Sequence, residues 1–530
     1  MPMQENGVVL FGIDSGNFYV INKFIKYLPN FRFILMKGIY KILKSTIPPL
    51  TPPAWSAIMT GKNPGKTGIY DWIIFNRRAR YIKIVSSLEI KSPKIWDFLS
   101  KKGMKSCIIN LPLTYPAQPL NGYLVSGIPA HVGLRRKITY PPDLIKELDD
   151  VVDGYEIIPN INLRIEGMEK EYYQEIRRVL IKRIEVFKYL YEKDTWHFFM
   201  PVIFLLDSIH HYYWHHIDER HPAYKPSLAR KYSVLVRALY RIIDEFLGWL
   251  LKKSSEDHFD LIIVSDHGMG PLLGNFLINK FLINEGFLNI NTSSGPNSKG
   301  MFLFLRKMFN LPIFKSILRN RITKHLIESI FKLLPYNLKE KFTERGQDVL
   351  KASTILEKMN PTQTCAYALG EFGQIYVEKK EIIPKLVNKL LKFFSKRGLK
   401  IDIFFGNDIY YGKYSNYAPD IVVLIQDNMI LPDITLDYGK RLFVPNALKA
   451  HHRIEGIFLA YGERIIEKSQ NKRINIVSVY DIAPTILSLL DVDVQTDFDG
   501  KSLITEKKCL KKSKIEVVID KIVWEVACKK

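Results

Sequence analysis

Three unbroken apolar runs constrain this chain more than any other feature: Gly7–Asp14 (GVVLFGID), His197–Asp207 (HFFMPVIFLLD) and Asp260–Asp266 (DLIIVSD). Each is followed by a polar turn and then by a helical pattern. Runs of this kind suit strands of a parallel sheet covered on both faces, and their alternation with helices predicts an α/β architecture. All three end in an aspartate. In open parallel sheets the ligand crevice lies outside the carboxyl ends of the strands, so Asp14, Asp207 and Asp266 are expected to converge on one site. Taken singly, each aspartate serves equally well as the cap of the next helix.

The charge balance decides which partners have to be considered. Lys and Arg number 77 against 54 Asp and Glu in 530 residues, a formal net charge of +23, and 47% of the residues are apolar. The apolar fraction is that of a globular chain with a real core. The surplus charge fits nucleic acid, an anionic membrane face or anionic substrates, and does not choose among them. Much of it gathers in two places. Between Ser293 and Arg345 a polar stretch leads into Met301–Phe342, where apolar residues at helical spacing alternate with Arg306, Lys307, Lys315, Arg319, Arg321, Lys324 and Lys332. The C-terminal tail adds Lys507, Lys508, Lys511, Lys512, Lys514, Lys529 and Lys530. A catalytic domain over 1–503, interrupted by a basic helical insertion at 293–345 and followed by a basic tail at 504–530, is the expected organisation. The insertion reads either as a helical cap with a solvated basic face or as an element that docks on a membrane surface or polyanion.

Cys107, Cys365, Cys509 and Cys528 are too few and too scattered for a disulfide framework, and no CxxC pair suggests a thiolate zinc site. The opening Met1-Pro-Met-Gln-Glu-Asn6 lacks a basic segment followed by an apolar run, and no apolar stretch approaches the roughly 18 to 20 residues that cross a bilayer. A cytoplasmic protein is expected.

Gly65-Lys66-Thr67 has the look of a P-loop ending, but Thr60 stands where the motif needs its first glycine and no apolar strand leads in. What precedes reads as a short helix with Thr51 as N-cap, Pro52 at the first helical position and Gly61 as terminator. A hydroxyl at a helix N-terminus sits where backbone N–H groups favour a phosphate, so Thr51 is a candidate nucleophile as well as a cap. With no base in its own segment, a metal ion is the obvious activator. Ligands are available. Asp207 and His211 are four apart and share one face if their segment is helical; Asp266-His267 precedes two nearby glycines that permit a sharp turn; Asp14 occupies a similar strand tip; His451-His452 precedes another apolar run. Three crowded carboxylates repel one another unless cations intervene, and Asp and His donors without cysteine suit zinc or manganese. His210, His215, His216 and His221 are assigned to an aromatic-rich helix surface.

Gly12-Ile-Asp-Ser15, Thr51-Pro-Pro-Ala-Trp55, Thr60-Gly-Lys-Asn-Pro-Gly-Lys-Thr-Gly-Ile69, Asp207-Ser-Ile-His-His211, Ser265-Asp-His-Gly-Met269, His452-Arg-Ile-Glu-Gly456 and Asp481-Ile-Ala-Pro-Thr-Ile-Leu487 occur in order over about residues 7 to 503. Together they resemble the type I phosphodiesterase/nucleotide pyrophosphatase branch of the alkaline phosphatase superfamily, closest to microbial proteins described as phosphohydrolases or phosphomutases. The resemblance implies a three-layer α/β/α sandwich with a mostly parallel sheet. It implies two zinc ions, one held by Asp14, Thr51, Asp266 and His267 with Thr51 as nucleophile, the other by Asp207, His211 and His452. His452 is preferred to His451 because the family's histidine lies four residues before a glycine, here Gly456. Asp481 and Pro484 take helix-start and packing roles. Family members often carry a histidine where this chain has Thr67, and nucleotide pyrophosphatases an asparagine where it reads Tyr70-Asp71-Trp72, which weakens a nucleotide-specific assignment. Sulfatases need Cys or Ser as nucleophile and Arg four later; here these are Thr51 and Trp55. The implied activity is metal-dependent hydrolysis of an anionic phosphoric ester. Its rivals are a phosphomutase or phosphotransferase on the same site, and a polyanion- or membrane-binding protein with a degenerate site.

Overall fold

The computed structural model describes residues 2–130, 136–159, 167–291, 344–436, 439–468 and 476–504. The expected basic insertion, apart from the start of the helix Glu344–Lys358, lies outside the described residues, as does the tail beyond Ile504.

All three apolar runs form strands, and they lie side by side at the centre of a nine-stranded sheet. Across the sheet the order is Ile476–Ser478, Ile39–Lys44, Glu455–Tyr461, Asp260–Val264, Met3–Ile13, Trp196–Ile203, Ser106–Leu111, Gly122–Ser126 and Thr139–Tyr140. From Asp260–Val264 to Gly122–Ser126 every neighbouring pair is parallel. Gly12 is in register with Val202 on one side and Val264 on the other, so the three strands end level with one another. Alternate residues of the first strand serve opposite faces. Val8 and Leu10 join a core shared with the helices Thr51–Thr60, Ile95–Lys101 and Ile482–Leu489, whereas Val9, Phe11 and Ile13 join one shared with Glu169–Lys193 and Pro226–Asp257. Helix, sheet and helix therefore form three layers.

The sheet is mixed: Thr139–Tyr140 pairs antiparallel at one edge, and a second antiparallel strand lies nearer the site. Glu455–Tyr461 runs antiparallel to both of its neighbours. An antiparallel strand begins where its parallel neighbours end. The residues just before it, His451 and His452, are thereby delivered to the edge where the aspartates emerge.

A second sheet lies within residues 274 to 444. Gly274–Leu277, Ala366–Leu369, Gln374–Val377, Ile401–Phe405, Ile421–Ile425, Ile430–Asp433 and Phe443–Val444 form a second, largely antiparallel sheet with its own core around Phe276, Ile375, Ile421 and Phe394.

The P-loop look-alike has a structural use. Asn63 caps the short helix Pro64–Thr67, accepting from the Gly65 N–H. Lys66 Nζ lies 2.7 Å from Asp499 Oδ1 and 2.9 Å from Asp497 Oδ2, and Lys62 Nζ lies 2.7 Å from Asp497 Oδ1. The Asn63 N–H donates to Asp499 Oδ2 at 2.6 Å. This latch ties residues 62–66 to the segment that follows the last helix. Asp499→Ala leaves the Asn63 N–H without its acceptor and the Lys66 ammonium with Asp497 alone, and is expected to destabilise the protein by about 2 kcal/mol, read from its denaturant midpoint.

Candidate metal centre

Asp14 follows directly on the first strand, with its N–H donating to the Ile203 carbonyl at 2.9 Å, and Asp266 and His267 follow the Asp260–Val264 strand. Thr51 opens the helix Thr51–Thr60, but it is not the cap. Leu50 holds the N-cap position with extended backbone, Thr51 is the first helical residue and Pro52 the second, while Gly61 terminates the helix at φ +67° as expected. The Thr51 hydroxyl is therefore not spent on capping. It lies 3.2 Å from His267 Nε2. Nor does this helix start offer a phosphate the usual set of amides. Pro52 and Pro53 carry no N–H, and the N–H of Ala54 donates to Leu50.

Around His267 Nε2 the carboxylates close in, with Asp266 Oδ2 at 3.2 Å and Asp14 Oδ1 at 3.7 Å. Asp207 does not sit at a strand tip. The strand stops at Ile203, and Asp207 falls in the first turn of the helix Leu205–Tyr213, whose pitch brings His211 onto the same face. Asp207 Oδ1 lies 3.3 Å from both His211 Nε2 and His452 Nε2, and those two nitrogens are 3.2 Å apart. Asp14, Asp266 and His267 thus form one group able to hold a cation, and Asp207, His211 and His452 another. The rings of His267 and His452 stack at 3.7 Å and join the two. His451 faces away, with its Nε2 3.4 Å from Glu371 Oε1.

The donor atoms fit divalent cations. Each histidine of the two groups has Nδ1 against a backbone carbonyl, His267 on Gly268 at 3.1 Å, His211 on Ala450 at 2.8 Å and His452 on Pro49 at 3.0 Å. These contacts assign the proton to Nδ1 and turn the Nε2 lone pair inward. Two such lone pairs facing each other at 3.2 Å are repulsive unless a cation lies between them. The carboxylates are held in the same one-sided way. The Trp55 indole N–H donates to Asp14 Oδ2 at 3.2 Å and the Ser15 N–H to Asp266 Oδ1 at 3.3 Å, while Asp14 Oδ1, Asp266 Oδ2 and Asp207 Oδ1 are buried without a hydrogen-bond donor.

Protonation follows from this crowding. Burial, then the charges of Asp266 and Asp207, pushes Asp14 well above the ordinary carboxyl range, and burial followed by Asp207 does the same to Asp266. For Asp207 burial acts upward too, but His211 and His452 outweigh it and hold the carboxyl well below the usual range. Burial, then His452, drives His267 well below an ordinary imidazole. The first group is sealed, whereas the Asp207 side chain keeps 23% of its surface exposed, so solvent reaches the second.

Several residues that build the centre escaped sequence reasoning. Trp55 lies one helical turn beyond Thr51, and a Cβ on Gly12 would stand 2.7 Å from its ring, so the glycine makes room for the indole that holds Asp14. His210 is not on a surface. It is fully buried between the Ser15 hydroxyl at 2.8 Å and the Tyr240 hydroxyl at 3.0 Å, and burial lowers it to about 3. His216 and His221 are buried as well. Gly268 is needed for close approach rather than for a turn, since a Cβ there would lie 2.0 Å from the Glu455 carbonyl oxygen. Asp71 is buried, with its oxygens accepting from the Trp72 and Glu371 N–H groups, and burial followed by Glu371 raises it to about 7. Trp55→Phe removes one hydrogen bond from Asp14 and is expected to weaken metal binding by about 10- to 100-fold, measured by competition with a chelator.

The family model for type I phosphodiesterase / nucleotide pyrophosphatase matches residues 8–425. Among solved structures, phosphonoacetate hydrolase from Sinorhizobium meliloti in complex with phosphonoacetate has a TM-score of 0.51 at 11% identity, over 92% of this chain and 95% of that one. Murine ectonucleotide pyrophosphatase / phosphodiesterase 5 has a TM-score of 0.48 at 13% identity, over 92% of this chain and 96% of that one. Among curated proteins, none matches. The likeness to the hydrolase is one of fold.

Proposed function

This chain belongs to the type I phosphodiesterase / nucleotide pyrophosphatase family of phosphoester hydrolases, and from that premise we propose a two-metal enzyme in which Thr51 is the nucleophile. Asp14, Asp266 and His267, joined by Thr51, would hold one divalent cation, and Asp207, His211 and His452 the other. Oxygen and imidazole donors without thiolate favour zinc, with manganese the alternative. The observation that carries the reading is the pair of adjoining donor groups, one of them sealed, beside a hydroxyl that is not spent on capping.

When bound, the cations supply positive charge that makes the Thr51 hydroxyl easier to deprotonate and offsets charge on the phosphoryl and leaving oxygens. The chain's own part is positional. Trp55 and Ser15 aim the free oxygens of Asp14 and Asp266, and three backbone carbonyls fix the imidazoles. The buried helix start holds Thr51 for in-line attack. Its oxygen bonds to phosphorus as the ester oxygen leaves, and water then releases the phosphoryl or nucleotidyl group and restores the hydroxyl. The Asp207 side is open to solvent, which suits arrival of an anionic ester and departure of the alcohol. The basic residues within 293–345 and 504–530 fit steering of such a substrate toward the protein.

The test is metal analysis together with hydrolysis of matched aryl phosphate diesters and monoesters, run with and without an acceptor alcohol. Turnover of either ester with release of inorganic phosphate or a monoester supports hydrolysis. Transfer of most of the group to the alcohol would point to a phosphotransferase, and a metal-loaded protein inert to both esters would sink the proposal.

A further inference from the structure

His451 is an odd residue to bury. It is fully inaccessible, its Nδ1 has no hydrogen-bond partner, and it belongs to neither ligand group. Successive residues of a strand face opposite sides, so while His452 points into its group, His451 points toward the second sheet. There it packs between the metal-site histidines and a tight turn. Its ring lies 4.6 Å from that of His452 and 5.4 Å from that of His211 on one side, and 5.0 Å edge-on from Phe372 on the other. Glu371 Oε1 is 3.4 Å from its Nε2.

The turn Gly370–Gly373 joins two strands of the second sheet, yet it is anchored to the segment behind the nucleophile helix. The Glu371 N–H donates to Asp71 Oδ2 at 3.0 Å, and the Gln374 amide donates to the Tyr70 carbonyl at 3.0 Å. Gly370 is left-handed at φ +81°, and a Cβ there would lie 2.3 Å from Asp71 Oδ2, so the turn has little freedom to shift. Phe372, fully buried, also reaches the His452 ring at 6.4 Å.

We propose that this turn of the second sheet is a positioning element for the second metal group, with Glu371 acting through His451, and Phe372 by packing, to hold His452 and His211 in ligating orientation. An apolar side chain at 451 would fill the same space without giving up hydration. What an imidazole adds is a direction, because its Nε2–H can point only at the Glu371 carboxylate and so fixes the ring that backs both ligands. Partners that orient ligands in this way govern metal affinity. The inference rests on the two-metal reading above. It gives the second sheet a part in the chemistry performed by the first.

The experiment uses the full chain, stripped with a chelator and reloaded with Zn²⁺ or Co²⁺, in the wild type and in Glu371→Gln, Glu371→Asp and Phe372→Leu. Stoichiometry, stepwise affinity and the visible spectrum of bound Co²⁺ are read, with a thermal melt for each variant. Two ions per wild-type chain are expected. In Glu371→Gln, a near-isosteric change, one of the two sites should weaken by about 10-fold or more with an altered Co²⁺ spectrum while the other holds, and Glu371→Asp should recover part of the loss. Wild-type affinity and spectrum at both sites in Glu371→Gln and Phe372→Leu would overturn the inference, as would equal weakening of both sites. A wild type that binds fewer than two ions would instead overturn the two-metal reading on which it stands.

Discussion

Thr51→Ala is expected to lower turnover by at least about 10³-fold while both metal ions stay bound. The variant deletes one hydroxyl and one methyl at a buried helix start. Pro52, Pro53 and the Gly61 terminator, which define the helix, are untouched. Asp14, Asp266 and His267 remain as the proposed holders of the first cation, and the second group does not include Thr51. Structure and metal content should therefore survive, and the loss should fall on kcat. Thr51→Ser keeps the hydroxyl and should retain most of the activity. Single-turnover measurements with an aryl diester, paired with metal analysis, separate the cases. A Thr51→Ala variant that keeps two ions and nearly all of its turnover would exclude a covalent threonine intermediate, whatever else the centre does.

The parts of the molecule that were legible in the sequence are those written locally. An interior parallel strand has both faces covered, so it shows as an unbroken apolar run, and GVVLFGID, HFFMPVIFLLD and DLIIVSD announced the three central strands and the edge at which their aspartates gather. Helical pitch brought Asp207 and His211 together from spacing alone. Placement within an element was less secure. Thr51 moves from cap to first residue, and Asp207 from strand tip to helix, because caps and strand ends are set by backbone bonds that periodicity does not record.

What stayed hidden depends on contacts between distant segments. Trp55 and Asp14 are 41 residues apart, His452 and the Pro49 carbonyl 403, Glu371 and Asp71 300. The second sheet has many strands of four or five residues, too short for an alternation to stand out, and its partners are drawn from 274 to 444. The resemblance named a candidate ligand set but gave no reason for Trp55, Ser15, His210 or Glu371. Each of these meets a candidate ligand or its neighbour through a contact between distant segments.

Metal removal should have the other large effect, and its pH dependence carries the sharper test. Stripping the protein is expected to reduce turnover by about 10³-fold or more, since charge stabilisation worth several kcal/mol is lost, and zinc should restore it. In the stripped protein Asp14 and Asp266 are held well above the ordinary carboxyl range, and His211 is raised because Asp207 overcomes the downward pull of burial. Above its ordinary value, about 4 for the carboxyls and 6.5 for the imidazole, each of these groups has released its proton in the unfolded chain but keeps it in the folded one until its own raised pKa is passed. The native state then binds more protons than the unfolded state, so stability must fall as pH rises. His267 and His210 are lowered, and their contribution has the opposite sign, but it is confined to the region below their unfolded value of about 6.5. Groups remote from the centre titrate alike in stripped and loaded protein and cancel in the difference. Above about pH 6.5, the melting temperature of the stripped protein should accordingly decline more steeply with rising pH than that of the loaded protein, in which cations take the place of the protons. Calorimetric titration with zinc in buffers of different ionisation enthalpy should register release of protons. Parallel melting curves and a proton-neutral titration would mean that these carboxylates are not the ligands.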